Sequence, residues 1–386
     1  MIEYPREIQL AIDRLVSAGH EAYLVGGALR DLLLGREVND FDIATSATPS
    51  EMKEVFSGFS TIETGLKHGT LTVLIAHMPI EITTFRVDGE YKDSRHPNSV
   101  RFTGSLAEDL SRRDFTVNAM AYSEKTGMVD LYDGTKDLQN RIIRAVGQPK
   151  RRFSEDALRI LRAFRFVSKL GFEIEKETYL ALADCREGLR HISAERICAE
   201  LRGILEGENA YGALGLMRES GVLGEVLPEA HLSEAFDKLD ACFEAKLAFL
   251  LLGTSKEGLA VRIRALKLSG ESTAAVCRLI VLADGEHISA DAPSVRRFLA
   301  KDGIYLKPFV AMMRAKGVDV TEFSATAAEC LARGDCLSVS ELAVNGDDLL
   351  ALGKKGKQIG EILSLLLDKV LDDPSLNTKQ TLLSMI

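Results

Sequence analysis

Residues 22–44 read AYLVGGALRDLLLGREVNDFDIA, and this stretch decides the fold. Four strand-forming residues run into Gly26 and Gly27, and a helical apolar pattern follows before Gly35 ends it. Residues 38–44 then alternate between apolar and polar side chains, which is typical of a strand. The stretch therefore predicts a strand, a glycine turn, a helix and a second strand.

The rest of the first 140 residues continues this pattern. Alternating apolar positions predict strands over residues 69–75 and 80–85, and a short strand over residues 128–131. Beyond Arg141 the apolar residues recur at helical spacing almost throughout. The sequence thus predicts an α+β fold, with a small mixed sheet in a head and helices in the remainder.

Composition indicates the class of protein. Of the 386 residues, 46% are hydrophobic and 27% are charged, which is typical of a soluble globular protein with more than one domain. No apolar run approaches the ~20 residues of a membrane span. The first residues resemble no leader peptide, so we expect a cytoplasmic protein without a membrane partner. Changes of pattern predict four parts: a catalytic head (1–140), a helical neck (141–206), a helical body (207–290) and a helical tail (291–386).

The overall charge and its distribution point in different directions. With 48 basic and 57 acidic residues the net charge is -9, which disfavours a nucleic-acid partner. Basic residues nevertheless crowd residues 141–169, where only Glu155 and Asp156 oppose them. A second basic group precedes an amphipathic helix and consists of Lys354, Lys355 and Lys357. Phosphate binding depends on such local charge, so both segments are candidate RNA-binding sites, with a solvated loop as the alternative for the lysines.

Two carboxylates near the glycine turn predict a metal site. Asp40 and Asp42 are two residues apart, a spacing that places both side chains on one face of a strand. Adjacent carboxylates raise each other's pKa unless a cation neutralises them, and Mg²⁺ prefers such oxygen ligands together with substrate phosphates. Glu81, on a later predicted strand, is a candidate third carboxylate. Arg30 lies one turn into the helix after the glycines, where it can reach a phosphate at the helix N-terminus.

A second group of charged residues predicts recognition of a base. Asp156, Arg159, Arg162 and Arg165 lie at offsets of three, which places them on one stripe of a helix. A carboxylate only accepts hydrogen bonds and a guanidinium only donates them. Asp156 therefore fits the exocyclic amine of cytosine or adenine, and Arg159 fits the neighbouring ring nitrogen, whereas uracil and guanine present a carbonyl instead. The other two arginines fit the triphosphate or position this pair, and a solvated basic face is the alternative.

Three segments together resemble a known family. They are GGALRDLLLG with NDFDIATSA, SRRDFTVNA at residues 111–119, and RRFSEDALRILRAFRF at residues 151–166. In this order they are similar to the class II tRNA nucleotidyltransferases, which comprise CCA-adding enzymes and bacterial poly(A) polymerases and belong to the superfamily of DNA polymerase β. The resemblance is close over residues 1–210, and residues 342–360 resemble the tail of the family.

The resemblance implies a polymerase-β-like head followed by an all-helical neck, body and tail. It implies addition of CCA, or of its terminal A, to the 3′ end of tRNA from CTP and ATP, without a nucleic-acid template and with two Mg²⁺ at Asp40 and Asp42. Nucleotide contacts are implied for Gly27, Arg30 and Arg113, and Asp114 is a candidate partner that orients Arg113. The polar residues 88–98 match a flexible loop that the family needs for the final A.

Other functions remain open at the level of sequence. An A-adding specialist shares every motif named above. A poly(A) polymerase is disfavoured because those relatives carry a longer basic extension at the C-terminus. An inactive RNA-binding relative is disfavoured because Asp40, Asp42 and the base-reading pair are intact. A nucleotidyltransferase for small molecules is disfavoured by the large helical region, and the sequence does not define the oligomeric state.

Overall fold

The computed structural model describes residues 2–88, 100–285 and 289–386. The chain forms two compact units, one of residues 1–228 with 265–267 and the other of residues 229–264 with 268–386. The helices within the described ranges are all too short or too polar to cross a membrane.

Strands and helices alternate in the first unit. Its strands are β1 (Ala22–Val25), β2 (Phe41–Thr45), β3 (Ser60–Ile62), β4 (Thr70–Ile75), β5 (Met78–Thr84), β6 (Arg86–Asp88), β7 (Val100–Phe102), β8 (Met120–Ser123), β9 (Gly127–Asp130), β10 (Ile142–Ile143) and β11 (Glu173–Ile174). Its helices are α1 (Arg6–Ser17), α2 (Gly26–Leu33), α3 (Pro49–Val55), α4 (Leu106–Ser111), α5 (Gly134–Gln139), α6 (Pro149–Glu155), α7 (Leu158–Leu170), α8 (Lys176–Asp184), α9 (Ala194–Leu205), α10 (Ala210–Glu219) and α11 (Val222–Val226).

The main sheet carries seven of the described strands, in the order β3-β4-β5-β2-β1-β8-β9. β2 and β5 run parallel, whereas the other neighbouring strands are antiparallel. This is the small mixed sheet that the sequence predicts. The predicted loop at residues 88–98 lies outside the described residues, except for the end of β6.

The core explains why the decisive stretch folds as it does. α1 buries Ile8, Ala11, Ile12 and Leu15, which recur at helical spacing along one face. All four residues of β1 are buried, because a central strand that is covered on both faces exposes neither set of alternating side chains. Burial of each large apolar side chain contributes about 1.5–3 kcal/mol, so this packing fixes the position of the glycine turn that follows β1.

The structure differs from the predicted elements at several places in this unit, and it adds α3, β3, α4, β8 and α5, which the sequence pattern did not indicate. The strand predicted over residues 38–44 begins only at Phe41, so Asp40 precedes β2 instead of sharing its face with Asp42. Among the described residues beyond the head, the two-residue strands β10 and β11, which pair in parallel, are the exceptions to a helical pattern.

The second unit is helical in its described residues. Its helices are α12 (Phe243–Leu250), most of α13 (Lys256–Leu266), α14 (Gly270–Ala283), α15 (Ala292–Asp302), α16 (Leu306–Ala315), α17 (Thr321–Arg333), α18 (Gly346–Ala351), α19 (Lys357–Asp372) and α20 (Lys379–Ser384). Near its C-terminal end, Leu349 of α18 packs with Leu363, Leu366 and Val370 of α19 in one buried cluster.

Candidate active site

Carboxylates from neighbouring strands meet beside the glycine turn. Asp42 on β2 lies directly opposite Glu81 on the parallel strand β5, so both side chains lie on the same face of the sheet. Burial raises the pKa of Asp42 to about 6, and the negative charges of Glu81 and Asp40 add to this effect against the opposing charge of Arg113. The predicted third carboxylate, Glu81, is thus a close neighbour of Asp42.

Gly26 lets these groups approach the start of α2. Its φ of +70° lies in the left-handed region, which favours glycine. A Cβ at this position would lie 3.4 Å from both Asp42 Oδ2 and Arg113 Nη1. The N-cap residue of α2 is Val25, whose side chain offers no acceptor to the first amides of the helix, so these can donate to a ligand. A phosphate that binds there can be contacted by α2 amides and by Arg113.

Arg113 is held by a different acid from the one that the sequence suggests. Its Nη2 donates to Asp109 Oδ2 at 3.0 Å, and its Nη1 donates to the carbonyl oxygen of Asn118 at 3.2 Å. Asp114 was the candidate partner, and this expectation is wrong because Asp109 lies one helical turn before Arg113 and faces it. The Nε of Arg113 is buried without a hydrogen-bond partner among the described residues, so it remains a donor for a ligand.

Asp114 instead connects the head to α7. Arg162 donates through Nε to Asp114 Oδ2 at 2.7 Å, and Asn118 links the other carboxylate oxygen to Arg30 Nη1. Burial opposes the ionisation of Asp114, but Arg162 and further hydrogen bonds outweigh it and lower its pKa to about 2. Asn118 therefore has a structural role between two charged groups.

Arg30 is oriented before any ligand binds. Its guanidinium is buried and makes two hydrogen bonds to Asp31, at 2.8 and 2.7 Å. A Cβ on Gly27 would lie 3.6 Å from its Nη2, so Arg30 lies directly beneath the glycine turn. The sequence places Arg30 beside this turn correctly. Its hydrogen bonds join it to Asp31 and Asn118, and contact with a phosphate stays a prediction.

The helix predicted to carry the base-reading residues is interrupted at Asp156. α6 ends at Glu155 and α7 begins at Leu158, and Asp156 between them has an extended backbone with φ of -142°. Its Oδ1 accepts a hydrogen bond from the amide of Leu158 at 3.0 Å, so the carboxylate stabilises the start of α7. The expectation of a single helical stripe is wrong at this position, because a capping aspartate favours a non-helical backbone.

Arg159 is buried instead of lying on a solvated face. Its Nη1 donates to Glu155 Oε2 and to the carbonyl oxygen of Arg152, and its Nη2 donates to the carbonyl oxygen of Arg112. Contact with a base ring nitrogen therefore requires exchange of one of these bonds. A solvated basic face, which was the alternative, does not describe this residue.

Arginines surround the ring of Phe166. The guanidinium carbons of Arg30, Arg162 and Arg165 lie 5.2, 5.8 and 5.8 Å from the ring centroid. Arg165 also forms an ion pair with Glu200 at 3.2 Å, and burial lowers its pKa. α7 thus presents its arginines to the head in fixed positions.

The basic segment 141–169 is largely balanced by acids of the surrounding fold. Its ion pairs join Arg144 to Asp137, Lys150 to Asp184, Arg151, Arg152 and Arg159 to Glu155, Arg162 to Asp114, and Arg165 to Glu200. Lys150 and Arg151 remain exposed, at 71% and 76%. In the second unit, Lys357 begins α19 after Gly356, and Lys355 beside it is also exposed, so the predicted glycine-opened helix is present.

Asp42, Glu81 and Asp40 supply the kind of donor that a divalent cation prefers. Within the described residues, no group of three or more His, Cys, Asp or Glu side chains is arranged to hold a metal ion by protein ligands alone. Magnesium sites in phosphoryl-transfer enzymes usually combine one or two carboxylates with substrate phosphates and water. The raised pKa of Asp42 is what such a cation would relieve, so the residues fit a metal that binds together with a nucleotide.

Sequence reasoning missed two residues that hold the site together. Asp109 binds both Arg112 and Arg113, and its position four residues before Arg113 is a signal that a search for helical charge pairs would find. Arg196 donates to Asp156 from forty residues away, and no local pattern indicates this contact.

A separate cavity lies in the first unit at the start of β1, where Ala22 and Tyr23 line it together with Asp13, His20 and Glu124. Asp42 pairs with Val25 at the other end of β1. None of the predicted site residues lines this cavity, so it is not part of the candidate active site.

Family models match three parts of the chain. They are the Poly A polymerase head domain at residues 22–144, the probable RNA and SrmB-binding site of polymerase A at residues 171–233, and the putative tRNA nucleotidyltransferase domain 2 at residues 243–386.

Relatives match nearly the whole length of the chain. The CCA-adding enzyme of Bacillus velezensis is 37% identical over 373 residues, which cover 93% of this chain and 92% of that protein. The CCA-adding enzyme of Limosilactobacillus fermentum is 36% identical, with 96% and 94% covered. The crystal structure of the Bacillus stearothermophilus CCA-adding enzyme in complex with CTP superposes with a TM-score of 0.83 at 33% identity and covers 98% of this chain and 96% of that one. By its sequence, its fold and the residues around its glycine turn, this chain belongs to the class II family of CCA-adding enzymes and poly(A) polymerases.

Proposed function

We propose that this protein adds C and A residues to the 3′ end of tRNA from CTP and ATP and releases pyrophosphate. The observation that carries the proposal is the convergence of Asp42 and Arg113 on Gly26 at the start of α2, with Glu81 opposite Asp42 on the neighbouring strand. The full-length similarity to bacterial CCA-adding enzymes supports the substrates. A triphosphate needs both a carboxylate-bound cation and positive donors, and this arrangement offers both.

The chemistry proposed is in-line attack of an RNA 3′-hydroxyl on the α-phosphate. Asp40 and Asp42, with Glu81 as a third carboxylate, are the residues that would hold Mg²⁺, which lowers the pKa of an attacking hydroxyl and offsets charge on the leaving group when it is bound. Arg113 contributes its buried Nε and the amides of α2 contribute N–H donors to the phosphates. No covalent enzyme intermediate is needed for this reaction.

Selection of the base is assigned to Asp156 with Arg159. Asp156 accepts from the exocyclic amine of cytosine or adenine, and it keeps an acceptor on each oxygen because each carboxylate oxygen has two lone pairs. Arg159 donates to the neighbouring ring nitrogen after it releases one of its present partners. Arg30, Arg162 and Arg165 position this pair and the triphosphate, and Gly27 lets the backbone approach the phosphates.

The division of labour along the chain remains part of the proposal. We assign catalysis to residues 1–140, nucleotide selection to residues 141–206 and tRNA binding to residues 291–386, with residues 207–290 as the body between them. Lys354, Lys355 and Lys357 are the proposed contacts to tRNA phosphates. A cytoplasmic location agrees with the six free cysteines, because disulfides are rare in that compartment.

The experiment uses the purified protein with Mg²⁺, single nucleotides and tRNA that ends in the discriminator base, in CC or in CCA. Addition of C and then A to the first tRNA supports the proposal, and addition of A only to the CC end indicates an A-adding specialist. Long A tails on unrelated RNA indicate a poly(A) polymerase. Absence of labelling with tRNA binding retained indicates an RNA-binding relative without activity.

A matched pair of variants tests the metal assignment. Asp40→Ala is expected to abolish incorporation while tRNA binding stays measurable, because the residue holds the cation and does not contact the RNA body. Glu54→Gln replaces another exposed carboxylate, on α3, and is expected to leave incorporation unchanged. Full incorporation by Asp40→Ala would exclude Asp40 as a metal ligand.

A further inference from the structure

Both carboxylate oxygens of Asp156 accept hydrogen bonds, and the two donors lie on different helices. Oδ1 accepts from the amide of Leu158 at the start of α7, at 3.0 Å. Oδ2 accepts from Nη2 of Arg196 on α9, at 2.9 Å. Two bonds from separate helices fix the direction of the carboxylate plane, which one bond alone cannot do. The remaining lone pair on each oxygen therefore points in a defined direction.

Arg196 bears a cost that stability alone does not explain. Its Nη1 is buried and has no hydrogen-bond partner among the described residues, and an unpaired buried donor destabilises a fold. The side chain is otherwise only 33% exposed. The Nη2 of the same guanidinium is bonded to Asp156, so this side chain supports the orientation of that carboxylate.

The rest of α9 continues the same pattern of contacts with α7. Glu200 lies one helical turn after Arg196 and forms an ion pair with Arg165 of α7. The hydroxyl of Ser168, near the end of α7, donates to the backbone carbonyl oxygen of Ile204 on α9, so this hydrogen bond also joins the two helices. α9 is thus packed firmly enough on α7 to keep Arg196 at a constant distance from Asp156.

We propose that Arg196 is a positioning residue that sets the selectivity for the base. It holds the Asp156 carboxylate in the orientation that accepts a hydrogen bond from the amine of cytosine or adenine. In the same orientation, the carboxylate meets a carbonyl oxygen of uracil or guanine, and two acceptors cannot form a hydrogen bond. Without Arg196 the carboxylate rotates about its own side-chain bonds, and the rejection of the wrong bases weakens. The inference rests on the proposed function of Asp156.

The test compares Arg196→Gln and Arg196→Lys with the unchanged protein. Glutamine keeps part of the stem but loses the charge and the forked donors, whereas lysine keeps the charge and one donor. In single-nucleotide addition to tRNA, kcat and KM are measured for CTP, ATP, UTP and GTP. For Arg196→Gln we expect the ratio of kcat/KM for CTP over UTP to fall about 10- to 100-fold, which is the worth of a charged hydrogen bond. Arg196→Lys should recover part of this ratio.

A merely structural role gives a different result. It lowers kcat for all four nucleotides alike and leaves their ratios unchanged, together with a lower melting temperature. Arg190→Ala is the matched control, because it removes an arginine whose exposed pair with Glu225 lies outside the site. Unchanged ratios in both Arg196 variants would overturn the inference. If the unchanged protein adds neither CTP nor ATP, the proposed function fails instead.

Discussion

Two aspartates of the first unit, the partly buried Asp42 and the buried Asp114, differ in the sign of the dominant charges around them. Burial raises the pKa of Asp42 to about 6, and the neighbouring acids Glu81 and Asp40 add to this rise. Burial also opposes the ionisation of Asp114, but Arg162 outweighs it and the pKa falls to about 2. The pKa of the same residue type therefore shifts in opposite directions, because the acids around Asp42 outweigh Arg113 whereas Arg162 outweighs the effect of burial on Asp114.

This difference separates the parts of the site that bind from the parts that orient. The carboxylates around Gly26 carry negative charge that the fold does not balance, and a cation from solution can do so. The arginines of α7 already have partners within the fold, so their main effect is to fix geometry. Variants in the first group should therefore change activity more than stability, and variants in the second group should change stability.

The largest expected effect is on catalysis by Asp42→Asn. Removal of the charge takes away a ligand for the proposed cation, whose contribution to the transition state is several kcal/mol, so we expect the addition rate to fall by about 1,000-fold or more. The free energy of unfolding should rise or stay constant, because the ionised form of Asp42 is disfavoured by its surroundings. Single-turnover addition to tRNA and urea unfolding measure the two quantities.

Glu54→Gln serves as the control for this variant, as it removes an acid from the same unit without touching the site. Loss of stability in Asp42→Asn together with retained activity would reverse the assignment of the two clusters.

Arg162→Ala should show the opposite pattern, with stability as the main loss. The variant leaves Asp114 buried without its strongest partner, and removal of one member of a buried ion pair costs about 3 kcal/mol. Urea unfolding at pH 7 measures the loss. Arg162→Ala combined with Asp114→Asn should recover part of the stability, and a double variant that is no more stable than the single one would contradict the pairing.

The pH dependence of stability should also distinguish the two aspartates. The pKa of Asp114 is lower in the folded chain than its ordinary 3.8, so its contribution of about 2 kcal/mol is present above that value and is lost as the pH falls towards 2. For Asp42 the sign is reversed, because its raised pKa gives a contribution that is present below 3.8 and is lost as the pH rises through about 6.

Unfolding by urea between pH 5 and pH 3 should therefore show a shallower decline for Asp114→Asn than for the unchanged chain. Measurements in chelator between pH 5 and pH 7 should show that Asp42→Asn removes a decline in stability with rising pH. A slope that neither substitution alters would contradict both assignments.

Much of this site was accessible from the sequence because its signals are local. The glycine turn and the alternating patterns of β2 and β5 correctly predict α2 and two neighbouring strands that carry Asp42 and Glu81, although Asp40 precedes β2 instead of sharing its face. The roles that the family resemblance implies for those residues remain predictions. Local patterns are sufficient to predict a site when its side chains lie on neighbouring strands that the sequence itself indicates.

The partners of the arginines were less accessible, because they depend on contacts between distant parts of the chain. Asp114 was expected to face its neighbour Arg113 but binds Arg162, forty-eight residues away. The helix around Asp156 was expected to be continuous, yet the side chain of Asp156 binds the amide of Leu158 and ends that continuity. A carboxylate can satisfy several donors, and only tertiary packing decides which of them are near.

Arg151→Ala should give the smallest change in the free energy of unfolding. It tests whether an exposed arginine of the basic segment contributes to stability. Arg151 lies eleven residues before Arg162 and also pairs with an acid, but its side chain is 76% exposed. Exposed pairs of this spacing contribute less than about 0.5 kcal/mol, so urea unfolding should barely change. Binding of tRNA should weaken slightly more at low salt than at high salt if Arg151 meets a phosphate, with a salt slope lower by about one. A loss of stability as large as that of Arg162→Ala would contradict this explanation, because the exposed ion pair of Arg151 would then contribute as much to the free energy of unfolding as the more buried pair of Arg162.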